Sequence, residues 1–172
     1  MEIEKKLPDR KHPRLDNYDY SSAGAYFVTI CTHNRRCVLS HIVGRGLAPA
    51  EENTIRYTRF GRAAAEQLLL LENRYPYLTV DKYVIMPNHI HVIFVLGRNT
   101  AGASPRPTLM DIVCTYKSLT TRECKKLGFD GRLFQASFYE HIIRGNKDYD
   151  AVMKYVYENP VRWYYDELYS TE

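Results

Sequence analysis

His89 and His91 are separated by one residue in the run His-Ile-His-Val-Ile-Phe-Val-Leu, residues 89–96. In a strand, alternate side chains share a face, so both imidazoles project to one side while Ile90, Val92 and Phe94 project to the other. Two imidazoles on one face are a ready pair of ligands for a divalent metal, which needs a third group from elsewhere in the chain. The same spacing also suits two unrelated polar residues on the wet face of a half-exposed strand. Farther along, Tyr155 and Asn159 stand at i and i+4 and share a face if that segment is helical. A tyrosine hydroxyl is a competent nucleophile toward phosphorus when a cation stabilises the phosphate charge. Asn159 can offer a neutral oxygen to a hard cation such as Mg²⁺ or Mn²⁺. The chain holds 15 tyrosines, and spacing alone does not lift Tyr155 above Tyr149 or Tyr157, for which core packing is the ordinary role.

The elements that must position these residues follow from periodicity and breakers. Residues 25–32, rich in β-branched and aromatic side chains, predict a central strand, and 37–43 a shorter one. Gly44, Gly46 and Pro49 make 44–54 a loop. From about Thr58 to Tyr75 the residues Phe60, Ala64, Gln67, Leu68 and Leu71 share a helical face, and Pro76 stops the helix. Residues 77–86 and 89–96 read as strands joined by a turn at Pro87-Asn88, and 97–107 as a surface linker. Thr108 and Asp111 form a capping-box pattern opening a helix to about Leu127, with Gly128 at its end. A strand over 133–143 and a helix from Asn146 to Asn159, ended by Pro160, complete the pattern. This order predicts an α+β fold: a ferredoxin-like split βαβ antiparallel sheet with helices on one face and a C-terminal helix. The expected organisation is an arm at 1–20, one domain at 21–165 and a tail at 166–172.

With 172 residues the chain fits one ordinary domain, and 45% apolar with 26% charged residues argues against wholesale disorder. No apolar run approaches the ~20 residues needed to span a bilayer, and the first sixteen residues are too charged for a signal-peptide core. Cys31, Cys37, Cys114 and Cys124 contain no CxxC pair, so a zinc ribbon or disulfide framework is not expected. The expectation is a cytoplasmic protein with reduced thiols and no membrane partner. A net charge of +4 permits nucleic acid as a partner without demanding it. Candidate phosphate-neutralising residues are Arg14 in the arm, Arg35 and Arg36 at a strand turn, and Arg59 opening the first helix. Lys117, Arg122, Lys125 and Lys126 cluster on the second helix, with Arg132 beyond it.

The segment Met86-Pro87-Asn88-His89-Ile90-His91 resembles the HUH motif (His, hydrophobic, His) of the single-tyrosine transposases of the smallest insertion sequences, in particular the REP-associated tyrosine transposases. The resemblance extends over most of the chain, through Tyr18-Asp19-Tyr20, Gly24 to Ile30, Phe134-Gln135, Phe138 to Arg144, and Tyr155 to Val161. It implies that His89 and His91 hold one divalent cation, Mg²⁺ or Mn²⁺, and that Tyr155 is the nucleophile. Where relatives carry Gln as the third metal-facing group this chain has the shorter Asn159, which can reach a metal directly or through water. His141, following Glu140, has two readings: it orients a phosphate or metal-bound water, or it is a buried structural histidine. The implied activity is nicking and rejoining of single-stranded DNA through a 5′-phosphotyrosine intermediate. The implied partner is an imperfect-palindrome hairpin, in a bacterial, nucleoid-associated setting. A homodimer in which the tyrosine helix serves the partner's site also fits such a family. The alternative is a domesticated relative that binds hairpin DNA or RNA without cutting.

Overall fold

The computed structural model describes residues 15, 17–43, 54–98 and 106–170. Arg14 and nearly all of the predicted arm up to residue 16 lie outside these residues. Strand β1 (Gly24–Cys31) is followed by a 3-10 turn, by β2 (Ser40–Val43) and β3 (Thr54–Tyr57), and by helix α1 (Arg59–Arg74). Then come β4 (Leu78–Ile85), β5 (His89–Leu96), α2 (Leu109–Lys126), β6 (Tyr139–Ile143) and α3 (Gly145–Arg162), with a second 3-10 turn at Trp163–Tyr165. The main sheet has the order β4-β5-β1-β6, and every adjacent pair is antiparallel. Without the small β2–β3 ribbon, the chain order β1-α1-β4-β5-α2-β6 gives the predicted ferredoxin-like sheet. Among the described residues, no helix is long and apolar enough to cross a membrane, and all four cysteines are unpaired.

Period-two alternation divides β1 and β5 between two cores. Val28, Ile30, Ile90, Val92 and Phe94 face α1 and α2, packing on Ala64, Leu68, Ile112, Val113 and Tyr116. Phe27 and Ile93 face the other way, toward Val156 of α3 and Trp163. Local signals fix the helix starts. The Thr58 side chain accepts from the amides of Phe60 and Gly61, and the Thr108–Asp111 capping box is fully formed. Gly61 is required by close approach, since a Cβ there would lie 1.9 Å from the Leu39 carbonyl oxygen.

Four features differ from the sequence-based expectation. Thr54–Tyr57 forms β3, pairing Ser40 with Tyr57; four residues are too few to show a period. The strand predicted over 133–143 is interrupted. Only Tyr139–Ile143 joins the sheet, while Phe134 makes a single bridge to Thr32. Helix α3 does not end before Pro160 but runs through it to Arg162. Pro160 brings no N–H to the helix ladder, a local cost that burial of Val156, Asn159 and Trp163 outweighs. Finally, α3 covers the sheet face opposite α1 and α2, so the wet-face reading of the histidines is wrong: His89 is 0% exposed and His91 2%.

Candidate metal and nucleophile site

The site is built on the α3 side of β1 and β5. Register pairs Thr29 with His91 and Cys31 with His89. The Asn88 amide fixes its own orientation, because its Nδ2 donates to the Arg35 carbonyl at 3.1 Å and the Leu168 carbonyl at 2.7 Å. Its Oδ1 therefore faces His89 Nδ1 at 2.8 Å, and as an amide oxygen it can only accept. The proton of neutral His89 is held on Nδ1, and the Nε2 lone pair is directed into the site. Thr29 Oγ1 lies 2.8 Å from His91 Nδ1, and its hydroxyl can donate to that nitrogen or accept from it. Both Nε2 atoms are buried and have no hydrogen-bond partner among the described residues. Burial pushes both imidazoles well below the ordinary histidine pKa; at His89 the nearby Asp166 carboxylate opposes this, and at His91 the neighbouring His89 adds to it. Neutral imidazoles are the form in which histidine binds a metal.

Two oxygen groups complete the cluster. The ligand atoms of His89, His91 and Asp166 all lie within 4.8 Å of one another. Asn159 Nδ2 donates to Asp166 Oδ2 at 2.9 Å, while Asn159 Oδ1 is buried without a partner among the described residues. Asp166 Oδ1 accepts from the Leu168 amide at 2.7 Å. Two neutral imidazole nitrogens, a carboxylate and an unsatisfied amide oxygen suit a divalent cation of intermediate hardness. The three orphaned buried atoms would otherwise carry an uncompensated desolvation cost.

Tyr155 stands beside this cluster, its ring edge-on to His91 at 5.2 Å and to Phe27 at 5.9 Å. It is 46% exposed and lines a cleft of about 1120 Å³ between α3, β6 and the segment 165–168. Burial raises its pKa above the ordinary tyrosine value, Asp166 and Glu167 raise it further, and Asn159 pulls it down. The protein alone therefore keeps this hydroxyl protonated at neutral pH. Tyr155 and His91 meet within one chain.

His141 is placed elsewhere. Its Nε2 lies 2.9 Å from Asp148, which also accepts from the Arg144 amide, and the pair ties β6 to the first turn of α3. Lys117 Nζ donates to the carbonyls of Gln135 and Ala136 at 2.6 and 2.8 Å, pinning that segment to α2. Arg35 donates to the Glu167 carbonyl at 3.3 Å. Arg36 lies over Phe129 and Arg59 over Phe60, at 5.0 and 4.8 Å. Lys126 pairs with Glu123 at 2.9 Å, while Arg122 and Lys125 are exposed on the same helix. Sequence reasoning did not single out Asp166, Thr29 or Asn88. Asp166 follows the helix by no recognisable spacing, and Thr29 is identified only by strand register. Asn88 sits inside the quoted motif, directly before His89.

No family model matches the chain. An uncharacterised protein of Haemophilus influenzae is 29% identical, covering 93% of each chain. A REP-associated tyrosine transposase of Escherichia coli is 24% identical, covering 83% of this chain and 70% of its own. A solved structure of a REP-associated tyrosine transposase bound to a REP hairpin has the same fold, with a TM-score of 0.61 and 22% identity over 87% of this chain and 73% of that one. With the histidine pair, the tyrosine helix and the split βαβ sheet in place, the chain resembles the REP-associated tyrosine transposases in both sequence and fold.

Proposed function

We propose that this chain is a transposase-like enzyme that nicks and rejoins single-stranded DNA, with Tyr155 as nucleophile. The observation that carries this reading is the convergence of two orphaned imidazole nitrogens, Asp166 and Asn159 beside a half-exposed tyrosine. His89, His91 and Asp166, with Asn159 alongside, would hold Mg²⁺ or Mn²⁺, which supplies Lewis-acid polarisation of the phosphodiester and stabilises charge near the tyrosine oxygen. Tyr155 Oη attacks phosphorus, the bond to the 3′-oxygen breaks, and a 5′-phosphotyrosine and a free 3′-OH result. The hydroxyl proton leaves through the solvent in the open cleft as the 3′-oxygen gains one. Because the ester bond is conserved, a DNA 3′-OH reverses the step and rejoins strands. The relative bound to a REP hairpin supports a hairpin as substrate, which on this reading is an imperfect palindrome of bacterial nucleoid DNA.

The test is denaturing electrophoresis of protein mixed with labelled hairpin DNA bearing single-stranded flanks. With Mg²⁺ or Mn²⁺ a protein band carrying the 3′-labelled fragment is expected; EDTA abolishes it, and so does Tyr155→Phe, while DNA binding by the variant persists. Cleavage without that band would make water the nucleophile and sink the reading. DNA binding without cleavage on any hairpin tried would favour the non-cutting relative.

A further inference from the structure

A second groove, of about 930 Å³, runs between the exposed side of α2 and residues 130–136. Gln135 lines both this groove and the Tyr155 cleft, so the two adjoin there. Their common wall is firmly held. The Gln135 amide donates to the Cys31 carbonyl at 3.0 Å, and Lys117 grips the Gln135 and Ala136 carbonyls. The two sides differ in chemistry. The second groove displays the exposed cations Arg122, Lys125 and Arg132 against one carboxylate, Asp130. Glu123 is shared, pairing with Lys126 at 2.9 Å and with Arg122 at 3.6 Å, so one carboxylate faces two cations there. The cleft beside Tyr155 instead carries two broad aromatic faces in solvent, Tyr139 at 54% and Tyr165 at 82% exposure.

We propose that these adjoining grooves form one track for a single DNA strand. Bases stack on Tyr139 and Tyr165 beside the nucleophile, and the backbone then passes Gln135 to place its phosphates along Arg122, Lys125 and Arg132. Aromatic faces next to a cationic groove are what an unpaired strand requires: every base has a stackable face and every phosphate a charge. Lys117 is a structural clamp in this arrangement, and Arg36 and Arg59 lie outside it. The inference rests on the reading of Tyr155 for its direction toward the nucleophile, while the track itself needs no chemistry.

The experiment is fluorescence anisotropy of labelled oligothymidylate with the full chain in EDTA, over a series of KCl concentrations. Neutralising the groove with Arg122→Gln, Lys125→Gln and Arg132→Gln together is expected to flatten the log–log salt slope by about 0.7 per lost phosphate contact, roughly two in all. A control with the same loss of charge on α1 and the β4 side, Arg74→Gln, Lys82→Gln and Arg98→Gln, keeps the slope. Tyr139→Ala with Tyr165→Ala weakens binding about tenfold or more at an unchanged slope. Circular dichroism verifies that each variant is folded, and Tyr139→Phe with Tyr165→Phe restores affinity. An unaltered slope in the groove variant, an equal change in the control, or no binding of oligothymidylate by the native chain overturns the track. A metal-dependent adduct with an unaltered slope would sink the track and leave the Tyr155 reading standing. A flattened slope with no adduct on any hairpin would do the reverse.

Discussion

The two faces of the main sheet are built from the same strands and finished in opposite ways. Toward α1 and α2, β1 and β5 present Val28, Ile30, Ile90, Val92 and Phe94, all fully buried in an apolar core. Toward α3 the same strands present Thr29, His89 and His91, and below them the helix contributes Asn159. One face gains its stability by excluding water from hydrocarbon. The other holds polar atoms away from water without giving all of them partners, a cost accepted where a site must bind something. Stability and chemistry are thus separated by a single strand thickness.

The largest effect that sharpens this contrast is on the apolar side. Phe94→Ala should cost about 3–5 kcal/mol by urea denaturation, while His91→Ala, one layer away, should cost far less in EDTA. A comparable loss at His91 would break the comparison. Next comes metal: Mn²⁺ at a hundred times its dissociation constant should stabilise the native chain by about 2.7 kcal/mol, with no such gain in His89→Ala/His91→Ala. The pH dependence in EDTA has a fixed sign. The unfolded chain takes up protons on these histidines below about pH 6.5 while the folded chain, its histidine pKa values depressed by burial, does not. Stability therefore falls as pH drops from 7 toward 5, by up to about 1.4 kcal/mol per pH unit for each histidine. Replacing both by Gln should flatten that fall. The most local effect is at Asn88, where Asn88→Ala should weaken metal binding about 10- to 100-fold by calorimetry, through loss of the bond that orients His89.

The parts of this arrangement visible in sequence are those set by local period. The histidines share a face because strand alternation needs only residues 89–91, and Tyr155 with Asn159 needs only a helical turn. The capping box at Thr108 is equally local. Asp166 was hidden because it arrives after a helix whose end Pro160 misplaces, and because no motif relates it to His89. Thr29 opposes His91 only once the strand register is known. The second covering of the sheet by α3 was hidden for the same reason: the polar histidines suggested a wet surface, and burial there follows from packing of Val156 and Trp163, which is tertiary.

Tyr155, Asn159 and Asp166 all come after β6, the last strand of the sheet. During synthesis the sheet, with Thr29 opposite His91 in register, can assemble before Tyr155 emerges, whereas Asn88 gains its Leu168 partner only afterwards. Tyr155 and Asp166 then arrive together, on one helix and the turn that follows it. On the proposed reading, a nascent chain holds the two imidazoles before the tyrosine that would attack DNA reaches them.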